Sequence, residues 1–109
     1  MDFESCIDSC RNCADECDKL RKDLSPGRPT DRNPLCRPIA ANCAQFCRTT
    51  AGFMERGSTL VKEICGMCAQ ICDACVLECK HEASEHVPNC IGACRDCANE
   101  CRRVLAQAA

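Results

Sequence analysis

The sequence predicts an all-α fold, an antiparallel up-down-up-down four-helix bundle with a cysteine-lined core. Three observations predict it. The 109-residue chain carries 16 Cys. Most of them recur in one short pattern that occurs four times. Within that pattern the cysteines step alternately by three and four residues. Such steps trace one stripe of an α-helix, whereas a strand would need steps of two.

Residues 6–17 read CIDSCRNCADEC and residues 90–101 read CIGACRDCANEC, identical at eight of twelve positions. Residues 65–72, CGMCAQIC, match the later part of both. Residues 40–47, AANCAQFC, keep the same frame with Ala40 where the first Cys would stand. Four copies of a helical stripe imply four equivalent helices, and the filler residues are mostly good helix formers.

The elements follow in order, at about 4–24, 37–56, 59–84 and 89–107. Helix 1 carries Cys6, Cys10, Cys13 and Cys17 and stops at Ser25-Pro26-Gly27, with a loop running to Asn33-Pro34. Helix 2 has Pro38 in its first turn, which puts Cys36 near or just before its start, and carries Cys43 and Cys47. A Gly57-Ser58 turn follows, with Ser58 as the expected N-cap of helix 3. Helix 3 carries Cys65, Cys68, Cys72, Cys75 and Cys79. The stretch His86-Val87-Pro88-Asn89 ends the connection into helix 4, which carries Cys90, Cys94, Cys97 and Cys101. The length suits a single domain over residues 1–109.

Short connections make neighbouring helices antiparallel. One terminal layer is then expected to hold Cys6, Cys47, Cys65 and Cys101, and the opposite one Cys17, Cys36, Cys79 and Cys90. The other eight cysteines lie between, in a column about 16 Å long. Beside them runs an ordinary apolar stripe: Leu60, Ile64, Met67 and Ile71 on helix 3, and Ile39, Phe46 and Phe53 on helix 2. It can seal the gaps between helices or bury against a second protomer.

Composition excludes several classes. No apolar run approaches a membrane span. The net charge is -2 with both signs mixed, and the only aromatics are three Phe. That leaves neither an electrostatic footprint nor a stacking platform for nucleic acid. The opening Met-Asp-Phe-Glu-Ser-Cys has no basic start, apolar run or cleavage site. A cytoplasmic location is expected, where thiols stay reduced and clustered Cys points to metal binding or catalysis.

The thiol column allows several readings. Buried Cys packs as a small hydrophobe, but a Leu core would bury more surface and resist oxidation better. Cysteines on one helical face are poorly placed to pair, with Cβ atoms about 5–6 Å apart against the roughly 3.8 Å a disulfide prefers, although bridges between helices remain open. The four C-x2-C pairs, Cys10/Cys13, Cys65/Cys68, Cys72/Cys75 and Cys94/Cys97, lack the βαβ setting of a thiol oxidoreductase. Structural zinc wants closed tetrahedra, and a continuous column does not divide into them. The spacing also lacks the C-x2-C-x2-C-x3-C-P run of iron–sulfur ligation. Copper(I) is soft, prefers thiolates, and accepts two or three sulfurs that neighbouring ions share. Each Cu(I) replaces about one thiol proton, so a filled core stays near neutral. The residues therefore favour multiple Cu(I) ions per chain, on the order of one per thiol, and no enzyme activity. A zinc-binding or disulfide-stabilised structural bundle is the alternative, ahead of a thiol oxidoreductase.

The whole chain resembles the four-helix copper storage proteins of bacteria, in the branch without an export signal. The matching pieces are CIDSCRNCADEC, CAQFC with the Gly57-Ser58 turn, CGMCAQICDACVLEC with His81 and His86 after it, and CIGACRDCANEC. The resemblance implies Cu(I) bound along the core mostly by Cys pairs, assembly as a homotetramer, and a copper store rather than a catalyst. A copper chaperone or small-thiol donor is the expected supplier. Family members often carry Cys where Ala40 stands here.

The two ends of the column differ. Beyond Cys6 and Cys101 lie Met54, Val61 and Val104, with Phe3 and Leu105 nearby, which reads as an apolar plug. Met54 is also a soft thioether. Around Cys17, Cys36, Cys79 and Cys90 lie the two longer loops with His81 and His86. Imidazole binds copper, so ions are expected to enter at this end.

Overall fold

The structure is a computed structural model that describes residues 2–24 and 32–107. It contains four helices, α1 Glu4–Asp23, α2 Cys36–Glu55, α3 Val61–Cys79 and α4 Val87–Gln107. Among the described residues there is no strand. The break expected at Ser25-Pro26-Gly27 lies outside the described residues. Each helix packs along its length against two neighbours, in the cycle α1–α2–α3–α4–α1, and diagonal helices meet at the axis through their sulfurs, as Cys13 with Cys72 and Cys47 with Cys97. The hydrogen-bonding and ionic partners show the antiparallel sense. Arg48 late in α2 reaches Asp15 and Asp18 on α1, while Glu55 at the end of α2 pairs with Arg11 earlier in α1. At the two ends of α1, Cys6 meets Cys101 and Cys17 meets Cys90 on α4.

The helix ends show how the chain sets the register. Gly57 takes φ 62°. There its N–H bonds to the Met54 carbonyl and the Ser58 N–H to the Phe53 carbonyl. This is a Schellman stop for α2, and only a residue tolerant of left-handed φ fits it without strain. Ser58 was expected to cap α3, but the helix begins at Val61. The Ser58 Oγ instead accepts from the Leu60 N–H, closing a turn ahead of the helix.

Helix α3 ends at Cys79 rather than near residue 84. The reason is Glu82, whose side chain turns inward and is only 7% exposed. Its carboxylate accepts the backbone N–H groups of Arg32 and Asn33, which lead into α2. The Asn33 amide in turn donates to the Glu78 carbonyl at 2.9 Å and to the Glu78 carboxylate at 2.7 Å. A continued helix would carry Glu82 away from these donors. Helix α4 starts at Val87, two residues before the expected start, with Pro88 in its first turn. Proline is tolerated there because its missing N–H has no intrahelical partner to lose.

The four stripes converge on the bundle axis. Every cysteine in the chain is buried with no exposed surface. The Ala of each repeat, Ala14, Ala44, Ala69 and Ala98, is also buried, at 3% exposure or less. Small residues beside the stripes let the helices approach closely, since interaxial distance follows the side chains at the contact. Ile39, Phe46 and Ile71 pack against the core from the α2–α3 side. Leu60 and Met67, from the same flanking stripe, are about half exposed.

Candidate metal centre

Helical geometry places each thiol. Steps of three and four residues keep the sulfurs of one helix on one face, and the antiparallel neighbours bring a second stripe opposite. Among the free thiols the shortest sulfur–sulfur approaches therefore run between helices: Cys13 to Cys94 and Cys10 to Cys97, both 3.5 Å. Others follow at 3.7 Å for Cys17 to Cys90 and 3.8 Å for Cys47 to Cys72. Neighbours on one helix also touch, as Cys43 to Cys47 at 3.9 Å.

Fourteen cysteines are free thiols, and all fourteen fall into five groups whose sulfurs lie within 4.8 Å of one another. From the Met54 end these are Cys6/Cys65/Cys101, then Cys10/Cys68/Cys97/Cys101, then Cys13/Cys47/Cys72/Cys97. Next come Cys13/Cys17/Cys43/Cys94 and finally Cys17/Cys75/Cys90/Cys94. Consecutive groups share sulfurs: Cys101, then Cys97, then Cys13, then Cys17 with Cys94. The result is a ladder of linked groups rather than a set of separate tetrahedra. Structural zinc sites are usually separate, closed four-ligand tetrahedra. Soft monovalent ions bridged by common thiolates do fit it.

The electrostatics are those of a proton-sharing network. Hydrogen bonding with Cys13, Cys43, Cys68 and Cys72, together with burial, drives the Cys47 thiol far above its ordinary range. Its neighbour Cys43 is driven far below, because Cys13, Cys17, Cys47 and Cys72 stabilise its thiolate. Cys97 is lowered likewise by Cys10, Cys101, Cys13 and Cys47. The shared hydrogen bonds tie the protonation of each thiol to that of its neighbours. A cation that replaces the protons removes the cost of burying the thiolates.

The structure moves several cysteines from their expected layers. Cys47 does not share the end layer of Cys6, Cys65 and Cys101. It lies inward, against Cys68, Cys72 and Cys97. The stripe of α2 continues past Cys47 into buried Thr50 and Met54. Thr50 turns its hydroxyl back to the Phe46 carbonyl, away from the thiols. At the opposite end Cys36 and Cys79 lie outside the ladder. They are joined as a disulfide with Cα atoms 4.8 Å apart, in the range such bridges require. The expected layer of Cys17, Cys36, Cys79 and Cys90 is therefore split: Cys17 and Cys90 join Cys75 and Cys94. Ala40 leaves no thiol between Cys36 and Cys43 on the α2 stripe, which isolates Cys36 from the ladder.

Among the described residues, neither histidine joins a thiol group. His81 is exposed beyond the end of α3. His86 is partly exposed, with Nε2 3.7 Å from a Glu85 carboxylate oxygen. Met54 is buried beside Val61 and Val104, as expected of a plug. A second plug was missed in the sequence. Leu20 and Leu24 continue the α1 stripe beyond Cys17 and are at most 1% exposed. Their positions, three and seven residues after Cys17, were the signal.

Comparison with known proteins agrees with this geometry. The sequence model of a family described as "Copper storage protein" matches residues 1–106. The chain belongs to the copper storage protein family. A curated relative, described as "Uncharacterized cysteine-rich protein YhjQ" of Bacillus subtilis (strain 168), is 32% identical over 103 residues, covering 94% of this chain and 95% of its own length. Among solved structures, the Cu(I)-bound copper storage protein BsCsp3 superposes with a TM-score of 0.87 at 31% identity, covering 94% of this chain and 97% of that one. Apo-Csp3 from Bacillus subtilis superposes with a TM-score of 0.82 at 31% identity and the same coverage. A protein from Nitrosospira multiformis superposes with a TM-score of 0.83 at 33% identity, covering 96% and 95%. This copper storage family member shares with those structures both its four-helix architecture and the length over which it extends.

Proposed function

We propose that this chain is a cytoplasmic, non-catalytic store for multiple Cu(I) ions, held by the thiolates of its own core. The observation that carries the reading is the ladder of fourteen buried free thiols linked through shared sulfurs. The family supports it, as does the Cu(I)-bound state of the BsCsp3 neighbour. The proposed ligands are Cys6, Cys10, Cys13, Cys17, Cys43, Cys47, Cys65, Cys68, Cys72, Cys75, Cys90, Cys94, Cys97 and Cys101. Cys36 and Cys79 join them once reduced. His81 and His86 act as transient Cu(I) contacts at the Cys17/Cys90 end of the column, and the domain spans the chain.

The chemistry needs no acid, base or activated nucleophile. A Cu(I) ion settles between two thiols, displaces about one proton and shares its sulfurs with the next ion. Burial slows the access of water and oxidants to the centre of the ladder, which protects both the metal and the thiols. No described helix is long and apolar enough to cross a membrane. The half-exposed apolar residues Leu35, Leu60, Met67 and Leu77, with the groove of Ile39, Phe46 and Ile71, support burial against further copies of this chain. A homotetramer is the proposed assembly. A copper chaperone or small-thiol complex is the proposed donor.

Anaerobic titration of the reduced apo-protein with Cu(I) against a competing chelator tests the reading. Tight binding on the order of one ion per thiol is expected. Saturation at one or two ions would return the thiols to zinc binding, disulfide formation or simple packing.

A further inference from the structure

The Cys36–Cys79 pair stands apart from the other fourteen cysteines in three respects. It is the disulfide of the fold, while the rest are free. It belongs to none of the five thiol groups. It sits at a junction of helix ends, where Cys36 is the first residue of α2 and Cys79 the last of α3. One contact still ties it to the ladder: the Cys75 sulfur lies 4.0 Å from that of Cys79, and Cys75 belongs to the last group.

We propose that Cys36 and Cys79 form a redox lock on the thiol column. As thiols they are the outermost soft ligand pair and relay Cu(I) to Cys75. As a disulfide they break that relay and staple the end shut. The proposal rests on the storage reading above. The physical case has two parts. A thiolate, and not a disulfide sulfur, is the effective metal ligand. Oxidation therefore leaves a stretch at this end, with buried Leu20, Leu24 and Val87, that holds no soft ligand outside the Cys17/Cys75/Cys90/Cys94 group. The disulfide also ties two helix termini already held by Glu82, Asn33 and Glu78, which limits the fraying that would open the end.

Oxidation does not pass readily from the pair along α3. Cys75 is the nearest free thiol to Cys79, but the two stand four residues apart on one helix. Their Cβ atoms are about 5–6 Å apart, too far for a relaxed bridge. Exchange into the ladder is thereby disfavoured. The chemistry is thiol–disulfide exchange with a low-molecular-weight couple. Two Cys thiols and one small disulfide yield the Cys36–Cys79 bond and two small thiols. Two electrons and two protons pass to the small disulfide, and the reverse reaction consumes two small thiols. Breathing of the α2 and α3 ends admits the small thiol to the buried bond.

The test uses the full chain equilibrated anaerobically with oxidised or reduced dithiothreitol. Alkylation and peptide mapping should show one bond, Cys36–Cys79, with alkylatable thiols falling from 16 to 14. Stopped-flow uptake of Cu(I) from a chelator complex should then be slower in the oxidised form by about tenfold or more. Tenfold in rate corresponds to about 1.36 kcal/mol of barrier. Reduction should restore the rate, and the rate for Cys36→Ser should not respond to oxidised dithiothreitol. An oxidised chain that carries the mapped bond yet loads at the reduced rate would overturn the lock, as would a first bond formed elsewhere. A reduced chain that binds no Cu(I) would instead overturn the storage reading and take the lock with it.

Discussion

The sulfur of Cys13 on α1 lies 3.5 Å from that of Cys94 on α4, and each of the two belongs to two of the five thiol groups. This contact between neighbouring helices belongs to a hub: Cys13 also touches Cys43 and Cys72 at 3.9 Å, and Cys17 at 4.0 Å. Shared sulfurs make the unit of function the column rather than the single site.

A shared thiol should therefore matter more than a terminal one. Cys13→Ser is expected to remove about two Cu(I) ions from the saturated count and Cys65→Ser about one, since serine is not a soft ligand. Chelator-competition titrations of the two variants compare them directly. Equal losses would mean that sulfurs are not shared.

Ala40 is buried on the α2 stripe between Cys36 and Cys43. Ala40→Cys should add about one ion and join the outer pair to the ladder. The same titration measures it, with the reduced protein as reference.

The repeat alanines set the helix spacing. Ala14→Leu should overpack the core and cost about 1–3 kcal/mol of stability. Thermal unfolding of the apo-protein reads this, and the Cu(I) count should fall with it as the facing sulfurs are pushed apart.

Much of this was legible in the sequence, and the reasons are physical. A cysteine stripe in steps of three and four residues has only one regular conformation, so Cys6 to Cys17 and Cys90 to Cys101 identify helices and their inward faces. The longitudinal register is a different matter. It depends on how far α2 slides against its neighbours, which the spacing of Cys43 and Cys47 within one helix does not encode. Cys47 consequently sits deeper than equal-length helices would put it. The end of α3 was lost for a related reason. Glu82 is an ordinary helix former until its carboxylate meets the Arg32 and Asn33 N–H groups, a contact across about 50 residues. The Cys36–Cys79 pairing is long-range in the same way, whereas Leu20 and Leu24 lay on the Cys17 stripe and were readable.

Glu82 is thus a testable hinge of the α2–α3 junction. Glu82→Ala removes the charged acceptor of two part-buried backbone N–H groups and should cost about 1–3 kcal/mol. Hydrogen exchange should speed up at Arg32 and Asn33 and leave the centre of the bundle unchanged.

Acid should weaken the α1–α2 contact. Burial raises the Asp18 carboxyl, but Arg48 at 2.8 Å and Arg21 at 3.1 Å outweigh it and hold the group below its ordinary range. A depressed carboxyl stabilises the fold above its unfolded value, and that contribution is lost as pH falls through the folded one. Asp18→Asn should therefore be less stable than the parent at neutral pH. The gap should close below about pH 4, as chemical denaturation at a series of pH values would show.

The most direct measurement is an anomalous scattering map at the copper edge from crystals of the Cu(I)-loaded protein. The account predicts a string of copper peaks along the bundle axis, each between sulfurs of the five linked groups. Copper confined to the surface, or to one isolated four-sulfur site, would contradict it.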